Sequence, residues 1–294
     1  MARPVLAAVD GSFRSRSAAL WAADEAVRRG TPLRLIHVGP ALDKAPEAKD
    51  EQTTPHAAVQ RMLAELTVFA HGRHPDLDIK SALIPGEAVA DELATAAAEG
   101  DLLVLGTRGL GGFRGLLVGS VGLGTVARTE IPTILIRAEE TDEVVWPDST
   151  PVREIVVGLD THTPADAVLE FAFREAALTG ARLRVLHGWD LPSSYGYAGW
   201  LPPETELLKE FGALETELLG NAVADWRERF PEIDVTEDIQ TGGAAHTLIT
   251  ASAHASLLVI GRRARRTRLG LHIGPVAHAV IHHSKVPTAV IPHP

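Results

Sequence analysis

The chain contains no cysteine. No disulfide framework is therefore possible, and the composition suits a reducing cytoplasm. No apolar run approaches the roughly 18 residues of a membrane-spanning helix. The apolar start at Val5 to Val9 is short and passes directly into a polar turn, so no signal peptide is expected. Basic residues are outnumbered, 28 against 38 acidic, for a formal net charge of −10. A general nucleic-acid binder draws its affinity from neutralised phosphates, and this balance argues against one. A Gly-x-x-x-x-Gly-Lys-Ser loop is also missing, which excludes a P-loop NTPase. The expectation is a soluble cytoplasmic protein that engages neither membrane nor nucleic acid.

An internal duplication is present along the whole chain. Val5 to Ser12 pairs with Ile155 to His162, and Leu33 to Val38 with Leu183 to Gly188. Ile84 to Ala88 answers Gln240 to Ala244, Asp101 to Gly106 answers Ser256 to Gly261, and Ile131 to Ile136 returns as Val286 to Ile291. At 294 residues, 45% of them hydrophobic, each half is near the usual domain size and can bury its own core.

Each half alternates short apolar runs with Ala-rich segments of helical spacing. Val5 to Val9, Leu33 to Val38, Leu102 to Gly106 and Ile134 to Ile136 read as strands buried on both faces. Ser15 to Arg29 and Glu87 to Glu99 read as helices between them. The fold class is α/β: two Rossmann-like domains, each a five-stranded parallel sheet with flanking helices. The expected domains are residues 1–138 and 152–294. Residues 139–151, rich in acidic side chains and proline, are read as a linker. Pro40 to Pro55 and Asp190 to Pro203, the longest irregular stretches, are candidate lids.

Ligands of such sheets bind at the carboxyl ends of the strands. Asp10, after the first strand, and Gly106, after the fourth, converge there. Gly106, two residues, Gly109, nine residues, then Gly119-Ser120-Val121 has the character of a polyphosphate loop. Gly106 and Gly109 admit positive φ and let a phosphate approach the backbone. Gly119 clears the start of the next helix, and Ser120 offers a hydroxyl at its N-terminus, where the dipole favours an anion. Arg108 and Arg114 add positive charge. Asp10 suits a ribose hydroxyl, and His37 and Val38 can flank a base through their backbone groups.

With these residues in view, the chain resembles a tandem universal stress protein. That family's ATP pattern of Gly, two residues, Gly, nine residues, Gly and Ser or Thr is matched by Gly106, Gly109, Gly119 and Ser120. Asp10 stands in the place of its first-strand aspartate, and Val38 in that of the residue contacting adenine. The resemblance implies an adenine nucleotide alpha hydrolase-like sheet of order 3-2-1-4-5. It implies ATP, with or without Mg2+, bound in a regulatory role by Val9, Asp10, Ser12, His37, Val38, Gly106, Arg108, Gly109, Gly119, Ser120 and Val121, with Asp160 as the counterpart of Asp10. It further implies domain pairing through Ile134 to Ile136 and Ala289 to Ile291, a homodimer in addition, and an unnamed protein partner.

The second half departs from the pattern. Ala264 stands for the second glycine and Pro275 for the hydroxyl residue, so weaker ATP binding or none is expected there. Arg262, Arg263, Arg265, Arg266 and Arg268 crowd the altered loop, as an anion site, a surface for an acidic partner, or a solvated basic loop. His278, His282 and His283 share one predicted helix without a carboxylate or cysteine beside them, and no metal site is expected. His272-Ile-Gly274 resembles a nucleotidyl-transferase motif but follows the wrong strand. Trp189, Tyr195, Tyr197 and Trp200 form either a recognition surface or a flap over the core. Three function classes remain: an ATP-binding stress regulator; an ATP hydrolase, disfavoured because no clear general base or carboxylate pair accompanies the loop; and a nucleotide-independent interaction or chaperone-like protein.

Overall fold

The computed structural model describes residues 2–40, 55–107, 118–137, 153–190, 206–264 and 273–294. The linker at 139–151, the two candidate lids but for their end residues, and Arg108, Gly109, Arg114, Tyr195, Tyr197, Trp200, Arg265, Arg266, Arg268 and His272 lie outside the described residues. The chain divides into two compact units. No described helix is long and apolar enough to cross a membrane.

The first unit runs β1 (Val5–Ala8), α1 (Phe13–Arg29), β2 (Leu33–Gly39), α2 (Pro55–Arg73), β3 (Ile79–Pro85), α3 (Val89–Ala97), β4 (Leu102–Gly106), α4 (Ser120–Arg128) and β5 (Thr133–Ile136). All its pairings are parallel. β1 lies between β2 and β4, β3 lies outside β2, and β5 outside β4. Val5, Leu6, Ala7, Leu102, Leu103 and Val104 are wholly buried, as central strands covered on both faces should be.

Helix α1 shows how local chemistry sets an element. The Ser12 side chain accepts the N–H of Ser15, and Gly30 ends the helix at φ 62° with its N–H turned back to Ala26 and Val27. Ala18, Ala19, Ala22, Ala23 and Ala26 make its buried face so small-sided that the helix can lie close against the sheet. Glu25 is buried on this helix and is held by Arg28 at 2.5 Å and by Arg29. Helix α3 begins later than the Glu87 expected of it. Ala88, at φ −87° and ψ 68°, stands outside the helical region.

The second unit runs β6 (Glu154–Gly158), α5 (Asp166–Thr179), β7 (Arg182–Trp189), α6 (Glu206–Arg229), β8 (Val235–Thr241), α7 (Ala244–Ala251), β9 (Leu257–Arg263), α8 (Pro275–His283) and β10 (Thr288–His293). It repeats the parallel pairings of the first: β6 with β7 and β9, β7 with β8, β9 with β10. Phe173, Trp226 and Phe230 stack within 5.6–6.3 Å of one another and pin α6 to α5. Trp189 packs on Phe211 and is buried, so this member of the aromatic segment belongs to the core.

The units differ at the start of the first helix and at the end of the fourth strand. Helix α5 starts at Asp166, whereas the position matching the start of α1 is Thr163. His162 replaces the capping Ser12, and the Thr163 hydroxyl bonds Asp160 at 2.8 Å. Strand β9 continues through Arg262 and Arg263, which pair with Pro292 and His293. The expectation that these two arginines belong to the altered loop is therefore corrected: both are strand residues, and Arg262 is buried.

Candidate functional site

At the carboxyl edge of the first sheet, the chain leaving β1 is fastened before it turns into α1. Val9 is buried and donates to the Ile36 carbonyl at 2.8 Å. The Asp10 N–H donates to the Ser15 hydroxyl at 3.2 Å, and an Asp10 carboxylate oxygen accepts the Ser12 N–H at 2.9 Å. Gly11 between them adopts φ 87°, a left-handed conformation that suits only glycine well. Asp10 is thus held at the crest of a turn at the mouth of the crevice, and the Ser12 hydroxyl serves as a helix cap.

His37 is tied to the same turn. Its Nδ1 lies 2.7 Å from the Val9 carbonyl, which can only accept, so Nδ1 carries the hydrogen. The ring clamps β2 to the end of β1, and His187 repeats the contact to Leu159 at 2.9 Å. Val38, next along β2, is partly exposed and registers with Ile84.

Gly106 ends β4. A Cβ there would stand 2.8–2.9 Å from the backbone of Arg14 and Ser15, the first turn of α1. The described glycines with positive φ are Gly11, Gly30, Gly180 and Gly242. The expectation that Gly106 supplies a positive φ is therefore corrected: this position demands glycine because α1 presses on it. One residue later, the Thr107 carbonyl accepts the Gly119 N–H at 2.9 Å, drawing together the two ends of the loop. Gly119 precedes α4 at φ −75° and ψ 160°, and no described side chain caps that helix. Its first turn, with Ser120 and Val121 exposed, is open to an acceptor from outside. Val9, Asp10, Ser12, His37, Gly106, Gly119, Ser120 and Val121 are thus gathered at the ends of β1, β2 and β4; Arg108 and Gly109 lie outside the described residues.

The second crevice is built from the same strands but is satisfied differently. Asp160 accepts the His162 N–H at 3.1 Å and the Thr163 hydroxyl at 2.8 Å, and Thr163 in turn accepts from Arg263 at 2.5 Å. Burial opposes ionisation of Asp160, but the Thr163 hydroxyl, the two backbone N–H groups and the nearby His162 outweigh it and hold the carboxyl below the ordinary carboxylate range. Deeper in, the Glu215 carboxylate of α6 accepts from the Thr161 hydroxyl at 2.6 Å and meets His187 Nε2 at 3.4 Å. Sequence reasoning missed Glu215 because no motif spacing ties it to β6. Elsewhere on α8, the His278 and His282 rings lie 4.5 Å apart. No group of three metal-ligating side chains gathers among the described residues.

Known proteins agree with this duplicated architecture. A sequence model of the Universal stress protein family matches residues 1–137 and again residues 151–292. Universal stress protein Rv2005c of Mycobacterium tuberculosis is 30% identical over 296 residues, which cover 97% of this chain and 96% of the relative. Universal stress protein Rv1996 of the same organism is 28% identical over 305 residues, covering 97% and 94%. A solved universal stress protein from Archaeoglobus fulgidus, 17% identical, shares the fold across 98% of each chain with a TM-score of 0.62. The chain belongs to the universal stress protein family, in a tandem form that carries two copies of the family's unit.

Proposed function

We propose that this chain is a regulatory protein of the stress response whose first unit binds an adenine nucleotide, ATP with or without Mg2+, in the cytoplasm. The observation that carries the reading is the hydrogen bond from Gly119 to Thr107, which sets the first turn of α4, capped by no described side chain, at the sheet edge that also holds Asp10. A helix N-terminus offers N–H groups and a positive dipole end to phosphate, and a carboxylate one strand away can accept from ribose hydroxyls. In this reading Asp10 takes the ribose, the backbone at Val38 faces the base, and Gly109, Gly119, Ser120 and Arg108 take the phosphates. Nucleotide occupancy then favours one conformation or assembly, such as a homodimer or a complex with a partner protein, over another.

The test is to purify the protein, denature it, and identify and count the released nucleotide, with equilibrium binding of added ATP and Mg2+ alongside. About one ATP per chain, lost on Gly109→Ala, is expected. Absence of binding in both measurements would refute the reading and leave a nucleotide-independent interaction protein. Mg2+-dependent turnover abolished by Asp10→Ala would point instead to a hydrolase.

A further inference from the structure

The two crevices differ where the long helix of each unit meets the turn after the first strand. In the first unit a Cβ added at Gly11 would stand 3.1 Å from the Met62 sulfur of α2, so a thioether faces bare backbone at this point. In the second unit the position of Gly11 is Thr161, and α6 presents Glu215. Thr161, His187 and Glu215 are 4%, 7% and 5% exposed, a buried polar cluster of which the first unit repeats only the histidine, as His37. The Thr161 hydroxyl donates to Glu215 Oε2 at 2.6 Å. His187 Nε2 lies 3.3 Å from the Thr161 oxygen and 3.4 Å from the same carboxylate oxygen. Its Nδ1 is committed to the Leu159 carbonyl, which fixes the ring with Nε2 toward Glu215. His162 closes the mouth, with Nε2 3.2 Å from Glu215 Oε1 and its side chain 65% exposed.

We propose that Glu215 and Thr161 decide which crevice takes the nucleotide: the carboxylate of α6 is a built-in occupant of the second crevice and shuts it to a nucleotide regardless of the loop after β9. A buried carboxylate persists only when it is paired and hydrogen-bonded. The Thr161 hydroxyl supplies the hydrogen bond, and His187 and His162 pair with the carboxylate in their protonated forms, while Thr163 and Arg263 engage Asp160, the group a ribose would need. A nucleotide entering here has to break this network, strand Glu215, and bring its own negative charge beside two carboxylates. The first crevice offers Met62 and Gly11 at the same point, without the hydroxyl and the carboxylate. The inference rests on the first crevice being a nucleotide site, but it names a different cause for the second unit's silence than the changes at Ala264 and Pro275.

The experiment is equilibrium dialysis of the full chain with labelled ATP and Mg2+, counting nucleotide per chain. The variants are Ala264→Gly/Pro275→Ser, which repairs the loop, and the same pair combined with Thr161→Gly/Glu215→Met. Thermal unfolding monitored by circular dichroism shows that each variant is folded. Loop repair alone is expected to add no second nucleotide, whereas the four substitutions together add one, bound at least about tenfold more tightly than by the loop-repaired chain. A second nucleotide on loop repair alone, or none with all four substitutions in a folded chain, would overturn the proposal. A wild-type chain that binds no nucleotide would instead overturn the reading of the first crevice, because the proposal is read from the difference between variants. A double-mutant cycle of Thr161→Val and Glu215→Gln by urea unfolding checks the cluster without any nucleotide. Additivity of the two substitutions would count against it.

Discussion

The carbonyl of Thr107 accepts the backbone N–H of Gly119 at 2.9 Å, closing a loop whose ends lie twelve residues apart in sequence. Thr107 is itself anchored by its N–H to the Ile136 carbonyl on β5. Strand, loop end and helix start are therefore one rigid corner, and the two glycines that flank it serve different ends. Gly106 answers to α1, whereas Gly119 meets no described residue within 4 Å of where a Cβ would stand.

Gly106→Ala should destabilise the first unit by about 1–3 kcal/mol, because the added methyl meets backbone rather than a side chain that can turn aside. Gly119→Ala should cost no more than about 1 kcal/mol, since no described residue lies within 4 Å of the added methyl and the backbone conformation is open to any residue. Its methyl would nevertheless stand before the first turn of α4 and weaken ATP binding by about tenfold. Urea unfolding and isothermal titration on both variants give the two orders. Reversal of either order would show that the corner is misassigned.

Asp160 provides a test by pH. Its folded-state pKa is depressed, so its ionised form adds stability above the unfolded carboxylate value of 3.8, and that contribution is lost as pH falls through the lower folded value. Thr163→Val removes the hydroxyl donor and should move the Asp160 midpoint upward, toward 3.8, in a carboxyl-carbon NMR titration. The effect on global stability should be small, because the group is largely exposed and screened by solvent. An unmoved midpoint would mean that the backbone N–H groups and His162 hold the charge without the hydroxyl.

Much of the fold was legible from repetition. A short apolar run recurring after a fixed interval marks strands in both halves, and the glycine after Arg29 marks the end of α1. The site was less so, for reasons that belong to particular residues. Gly106 looked like a phosphate glycine, but its lack of a side chain is demanded by a helix that begins eight residues from the start of β1, a contact that only packing reveals. Arg262 and Arg263 looked like loop residues because the first unit's strand stops at Gly106; β10 is longer than β5 and carries β9 with it. Glu215 left no local trace, since its partner Thr161 is 54 residues away and helical periodicity does not distinguish a buried carboxylate from a solvated one.

Glu25 is wholly buried, and its charge depends on Arg28 and Arg29, both partly exposed. Removing the partners is therefore worse than removing the buried group. Arg28→Met/Arg29→Met should destabilise the chain by about 3 kcal/mol, since it leaves a carboxylate in the core without compensation. Glu25→Met should cost less, because the two arginines can turn to solvent and the alkyl chain keeps the volume. Chemical unfolding of both variants decides the matter, and an equal cost would mean that packing rather than charge governs the position.

Ser12 separates a structural from a ligand-binding role at the crevice. Its hydroxyl oxygen accepts the Ser15 N–H at 3.2 Å, its carbonyl accepts the Ser15 hydroxyl at 3.0 Å, and its N–H is spent on Asp10. Ser12→Ala removes only the first of these and should lower stability by about 1 kcal/mol, the usual cost of a lost N-cap. Asp10 keeps its bond to the Ser12 backbone, so ATP affinity should change by no more than about twofold, well under 1 kcal/mol. Melting curves with and without saturating ATP test both parts: the melting temperature should drop by the same amount in each. A variant with unchanged unliganded stability but a smaller ATP-induced shift would assign the hydroxyl to the nucleotide and leave α1 capped by other means.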